Sequence, residues 1–175
     1  MKTSTKRKSR NTGFTLLEAL FASILLGLAI VSLVAANGAF TASNWAGVEM
    51  STAEFLVEEI REFTANMPVS DPDDTDYYFG HEAGEASGFY DDIDDFYDGD
   101  SDGIDICPPI DANGEVLNDF SEFTQHVQVL SVLASDLQTS AGWCHHGSDF
   151  LRVTVSIYKN GNQITQASWI RTDLD

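Results

Sequence analysis

The sequence predicts an α+β chain: one long N-terminal helix, membrane-spanning in its first half, packed by its second half on a small antiparallel sheet. Three observations carry this. Residues 14–36 form an apolar run with a single charge, Glu18. Apolar residues at helical spacing then continue to about residue 66. Finally, residues 121–175 hold runs that alternate with period 2, the pattern of half-buried strands.

The chain divides accordingly. Residues 1–13 are a basic leader, 14–36 a transmembrane helix, and 37–67 its amphipathic continuation. Residues 68–120 are an acidic irregular region and 121–175 the sheet. At about 1.5 Å per residue, the first helical stretch spans roughly the 30 Å hydrocarbon core. The basic residues precede it, so the positive-inside rule keeps the start cytoplasmic and sends the rest outward. In the continuation, Leu56, Ile60, Phe63 and Met67 fall on one helical face, which Trp45, Val48 and Phe55 extend. Glu54, Glu58, Glu59 and Glu62 lie on the other faces. Pro68 stops the helix, and Gly27, Gly38 and Gly47 are points where it can bend or unwind.

The sheet reads from three runs. Phe123, Gln125, Val127, Val129, Ser131 and Leu133 share one face of a long strand. Leu151, Val153, Val155 and Ile157 share one face of a second, Asn160-Gly161 signals a hairpin turn, and Ile164–Arg171 returns as its partner. Three or four antiparallel strands result. Between helix and sheet, residues 71–105 hold fourteen acids and no lysine or arginine, with aromatics interspersed. Disordered segments are poor in aromatics, so an ordered loop pinned at its rings is expected.

The length of 175 residues allows one ordinary domain. Five of the nine basic residues lie in the first thirteen positions. Without them, Arg61, Arg152, Lys159 and Arg171 face 28 acidic residues, a formal net charge of −24. Such a body repels nucleic acid and anionic lipid, and it invites divalent cations or a salty medium. Cys107 and Cys144, in a chain that looks exported, suggest one disulfide. The loop of about 37 residues would contribute roughly 3–4 kcal/mol in the chain-entropy model. The competing reading is two unrelated thiols.

Glu18 separates the readings of the N-terminus. A secretory signal peptide, cut near Val34-Ala35-Ala36, leaves it unexplained and has a shorter apolar run. For a plain signal anchor it is a cost of about 2.5–3.5 kcal/mol at mid-membrane, less near an end. The run Gly13-Phe14-Thr15-Leu16-Leu17-Glu18, basic residues before and apolar after, resembles the type IV prepilin leader. That resemblance implies cleavage between Gly13 and Phe14 by a membrane aspartyl peptidase and methylation of the new Phe14 amine. Glu18 then becomes the fifth mature residue, able to pair with the cationic amine of a neighbouring subunit. The helix would form a filament core, and helix, variable loop and small sheet, in that order, match the pilin-like fold.

Two features of the acidic region point to chemistry. Asp98-Gly99-Asp100-Ser101-Asp102-Gly103 matches the first half of a calcium loop. Its twelfth position is Pro109, so a closing ligand such as Asp94, Asp95 or Asp105 must come from elsewhere. Asp95, Asp98, Asp100 and Asp102 are the candidate calcium ligands; the pseudopilin resemblance favours calcium in this region, and a solvated acidic loop is the plain alternative. The segment from Gly88 to Gly99 resembles one found in minor pilins of the D type of mannose-sensitive haemagglutinin pili, implying structural roles for Asp92, Asp94 and Asp95. Cys144-His145-His146 with Asp149 invites a transition metal, but adjacent histidines rarely share one ion. No nucleophile, base and orienting-acid set stands out, so no enzyme is expected.

The expectation is a minor type IV pilin or pseudopilin at low copy or at a filament tip. It would pass through the inner membrane once, with its C-terminal domain periplasmic. Prepilin peptidase, other pilin or pseudopilin subunits and the inner-membrane assembly platform would be its partners, and no nucleic acid is expected. The alternatives are a secreted or membrane-anchored periplasmic binding domain with a conventional signal sequence and, less in keeping with the residues, an exported enzyme.

Overall fold

The computed structural model describes residues 14–69, 80, 90–97, 102–142 and 148–172. It holds two compact units, Met1–Ala46 and Gly47–Asp175. Helix α1 (Leu16–Ala65) runs through both. It is unbroken at Gly27, Gly38 and Gly47, because a helix interior tolerates an isolated glycine at about 1 kcal/mol each. It ends at Ala65, three residues before Pro68.

Within the first unit every described side chain is exposed, from Phe14 to Ala46. This stretch makes α1 long and apolar enough to cross a membrane. Three of its hydroxyls bond their own helix: Ser23 donates to the Ala19 carbonyl at 2.9 Å, Ser32 to Leu28 at 2.8 Å and Thr41 to Asn37 at 2.9 Å. A polar side chain that bonds its own backbone presents little polarity to lipid.

The second unit is built around a five-stranded antiparallel sheet. Its strands are β1 (Ile104–Ile106), β2 (Phe123–Leu133), β3 (Asp136–Ser140), β4 (Phe150–Lys159) and β5 (Asn162–Thr172). The spatial order is β1-β2-β4-β5, with β3 paired to the far end of β2. The expected α+β layout is therefore present, with one strand beyond the three or four foreseen. The β4–β5 hairpin turns at Asn160 (φ 50°) and Gly161 (φ 78°), both left-handed as a type I′ turn requires.

Alternation along β2 buries Phe123, Gln125, Val127, Val129 and Ser131, as the pattern predicts. It then fails. The register shifts between Val132 and Leu133, so Val132 is buried and Leu133 is 38 % exposed. The core joins Val127, Val129, Leu151, Val153, Val155 and Ile157 of the sheet to Ala53, Leu56, Val57 and Ile60 of α1. The expected stripe of Leu56, Ile60, Phe63 and Met67 faces this core, but its expected extension does not. Leu56 and Ile60 are buried and Phe63 and Met67 partly so, but Trp45, Val48 and Phe55 are exposed. Small Ala53 and Thr64 take the buried positions, and the Thr64 hydroxyl is satisfied by the Ile60 carbonyl at 2.9 Å.

Side chains of the sheet lock α1 in place. Arg171 of β5 donates to the Ala65 and Met67 carbonyls at 3.0 and 3.1 Å, satisfying acceptors at a helix end that has no base of its own. Lys159 of β4 pairs with Glu49 at 2.9 Å and Glu122 at 3.2 Å, and the Arg61 guanidinium lies 5.1 Å from the centre of the Trp169 ring. Gln125, fully buried, accepts from the Ile110 amide at 2.8 Å and donates to the carbonyls of Ile110 and Leu56, each at 3.0 Å.

Candidate functional site

Two places hold the residues singled out by the sequence: the start of α1 and the acidic turn between α1 and β1. Gly13 lies outside the described residues; Phe14 lies two residues before the helix and is exposed. Thr15 caps α1. Its hydroxyl oxygen accepts from the Glu18 amide at 3.3 Å, and its carbonyl accepts from the Ala19 amide at 3.1 Å. Thr15-Leu16-Leu17-Glu18 is therefore one half of a capping box, a signal present in the sequence but not drawn from it. Glu18 sits in the first turn, where the helix dipole favours an anion, and it is exposed.

The acidic turn spans residues 90–97 and is folded around apolar anchors. Ile93 and Phe96 are fully buried, Tyr90 stacks on Phe96 at 4.5 Å between ring centroids, and Phe63 of α1 meets Phe96 edge-on at 6.3 Å. The Ile93 amide donates to the Pro68 carbonyl at 3.1 Å, joining the turn to the end of α1. These anchors pull the intervening aspartates out of water. Asp92 and Asp94 are 1 % exposed and Asp95 is 0 % exposed. Residues 94–96 form a single 3₁₀ turn. Asp92 Oδ1 accepts from the Asp95 amide at 3.1 Å, and Asp95 Oδ2 accepts from the Asp91 amide at 3.0 Å. The structural roles expected of Asp92 and Asp95 are present as these backbone bonds.

Burial, the largest influence, raises the Asp92 carboxyl above the ordinary carboxylate range. The Asp91 charge adds to this, while bonds to Asp94 and Asp95 oppose it. Tyr90 is raised as well, first by burial and then by the charge of Asp95. Asp91, Asp92 and Asp95 each offer a carboxylate oxygen, and the three lie within 4.8 Å of one another.

The calcium loop expected from the sequence is only partly on view. Asp98 and Asp100 lie outside the described residues; Asp102 is exposed. Among the described residues the acidic group with ligand spacing holds Asp95 with Asp91 and Asp92 rather than with Asp102. Asp105 faces His126 instead, at 2.7 Å. Gly103, which the motif would need for a metal turn, has another reason to be glycine. Its φ is +90°, and a Cβ there would lie 2.5 Å from the Val127 carbonyl oxygen of β2. Cys107 is exposed, with its sulfur 3.9 Å from the Ser121 carbonyl. Its expected partner Cys144 lies outside the described residues, as do His145 and His146.

No family model, curated protein or solved structure matches the chain.

Proposed function

We propose that this chain is a minor type IV pilin or pseudopilin, cut between Gly13 and Phe14 and assembled through α1 into a pilus or secretion pseudopilus. The observation that carries the reading is the junction itself. Basic residues, Gly13-Phe14, a capped helix start with Glu18 in its first turn, and an exposed apolar helix follow one another without a gap. Each step has a physical role. The basic residues hold the start on the cytoplasmic face, where a membrane peptidase meets the Gly13–Phe14 bond. Cleavage creates an amine four residues before Glu18. One subunit's carboxylate then neutralises a neighbour's amine, so the buried charge is paired only on assembly. The remaining apolar surface of residues 14–46 packs against other helices.

In this reading the partners are other pilin or pseudopilin subunits, the prepilin peptidase and the inner-membrane assembly platform. The chain has no catalytic role; the unit Gly47–Asp175 lies in the periplasm until the filament extends. Mass analysis of the mature N-terminus tests the proposal. A methylated Phe14 supports it. A chain beginning near Asn37 overturns it in favour of a conventionally secreted binding domain.

A further inference from the structure

An edge strand left bare is a template for another chain, because its outward N–H and C=O groups have no partner. The two edges of this sheet differ. On one side β2 is covered by β1 and β3, which are three and five residues long. The other side ends on β5, eleven residues long, and among the described residues no strand lies beyond it. From Thr165 to Thr172 its pairing with β4 runs unshifted over eight residues. In an antiparallel pair alternate residues turn their backbone groups to the partner, so about four of these residues present N–H and C=O outward. Soluble proteins guard such an edge with lysine, proline, inward charges or a bulge. Residues 165–172 hold no lysine, proline, aspartate or glutamate, and the register shift lies before them. Their one charge, Arg171, is drawn to the end of α1, where it donates to the Ala65 and Met67 carbonyls.

We propose that the free edge of β5 takes up an extended segment of another, basic protein as a sixth strand of the sheet. The two faces of the edge set the pattern of that segment. Ala167 and Trp169 sit across from Val155 and Val153, packed against the core yet only partly buried. Gln166 and Ser168 sit across from Ser156 and Thr154 on the opposite face, exposed, beside a polar hollow that Gln128 and Arg152 also line. A strand laid beside β5 therefore alternates apolar and polar residues, its apolar side chains completing the burial of Trp169. Charge decides which kind of chain carries it. The unit Gly47–Asp175 has 27 acidic side chains and four basic ones, and each base is bonded within the chain. A second copy brings the same excess of acid to the contact, whereas a basic chain is drawn to it.

The edge and the leader are independent features, so either reading can fail without the other. The probe is a synthetic peptide of alternating valine and threonine with lysines at both ends. Amide hydrogen exchange of the mature chain in detergent, with and without the peptide, locates the contact and leaves the protein unaltered. The outward amides of Thr165–Thr172 should slow at least about tenfold with peptide in excess, while those of β2 stay as they were. Methylating the backbone nitrogens of the peptide removes its ladder donors and should abolish this protection. Glutamates in place of its lysines should weaken binding at least about tenfold. Absence of protection at β5 with millimolar peptide overturns the proposal, and so does protection that survives methylation. A glutamate-ended peptide that binds as tightly overturns the choice of a basic partner. Amides of β5 that are already protected in the chain alone, increasingly so with its concentration, put a second copy on the edge and overturn the proposal as well.

Discussion

Replacing Gln125 by Leu asks how much one buried amide contributes to joining helix, loop and sheet. Ile110 forms an isolated bridge with Val116, and the flanking bonds run between Pro109 and Leu117 and between Asp111 and Glu115. The amide and carbonyl of Ile110 therefore face away from the bridge, and Gln125 satisfies both. Leucine fills similar space but leaves two buried backbone groups without partners. Each orphaned group costs about 1–3 kcal/mol, and the added apolar burial returns about 1–2 kcal/mol. At mid-range values the net loss is about 2.5 kcal/mol. For a unit of about 130 residues, melting entropy near 2.1 cal/mol/K per residue converts this to a fall of roughly 9 °C. Near-UV circular dichroism of the mature chain in detergent reads the transition of the folded unit. Gln125→Glu sharpens the test. It keeps the acceptor for the Ile110 amide but faces two carbonyls with a carboxylate, so its folded pKa rises above the ordinary value of about 4.3. A raised folded pKa adds stability below the unfolded value and loses it as pH rises, so this variant should melt higher at pH 4 than at pH 7 relative to wild type. A fall under about 4 °C for Gln125→Leu would refute the bridging role.

Three further outcomes follow from named contacts. Under the proposed function, Glu18→Gln should insert in the membrane at least as well as wild type, yet enter filaments at least about tenfold less, read by fractionating membrane and filament pools. Gly103→Ala forces a left-handed φ on a residue with a Cβ and drives that Cβ into the Val127 carbonyl, so the folded unit should lose about 2–4 kcal/mol in a urea titration. The Lys159 ammonium is held above its ordinary 10.5, first by its bond to Glu49 and then by Glu122. Its contribution is full below 10.5 and is lost as pH rises through the elevated value. The gap in melting temperature between wild type and Lys159→Met should therefore be constant from about pH 7 to 9.5 and close above 10.5.

What the sequence shows and hides has physical causes. The helix is legible because a long apolar run and Pro68 bound it, and the observed α1 starts within two residues of the expected position. Strands β2, β4 and β5 are legible because each is long and has one core face, and Asn160-Gly161 announces its own turn. Strands β1 and β3 carry no such pattern. Ile104–Ile106 lies in an acidic segment and exists through pairing with β2, while β3 is exposed along its whole length. The face of Leu56, Ile60, Phe63 and Met67 was legible, but its extension was not: Ala53 and Thr64 share its helical spacing and are buried, whereas Phe55 lies on a neighbouring face and is exposed. The buried aspartates were the hardest to foresee. The aromatics of residues 90–97 foretell an ordered turn, but not that the seating of Ile93 and Phe96 in the core draws their acidic neighbours inside. Gln125 is a similar case: its alternation was visible, but its partners lie 15 and 69 residues away in sequence.

The charge of the folded unit bears on how copies of this chain can meet. In Gly47–Asp175 four basic side chains face 27 acidic ones. All four are engaged within the chain: Arg61 with Glu58, Arg152 with the carbonyls of Leu137 and Gln138, Lys159 with Glu49 and Glu122, and Arg171 with the end of α1. A contact between identical units thus sets acid against acid, with the helices supplying the attraction and the folded units opposing it. Under the proposed function, repetition along a fibre accumulates that opposition, which favours a low-copy position. Salt separates the two contributions. Exposed charges are screened beyond about 10 Å at 0.1 M and about 3 Å at 1 M, while helix packing is barely affected. Self-association of the mature chain in detergent, followed by sedimentation, should therefore strengthen between 0.05 and about 0.5 M sodium chloride. Association that weakens with salt would mean that copies meet through complementary charged faces, and the reasoning for a low-copy subunit would fail with it.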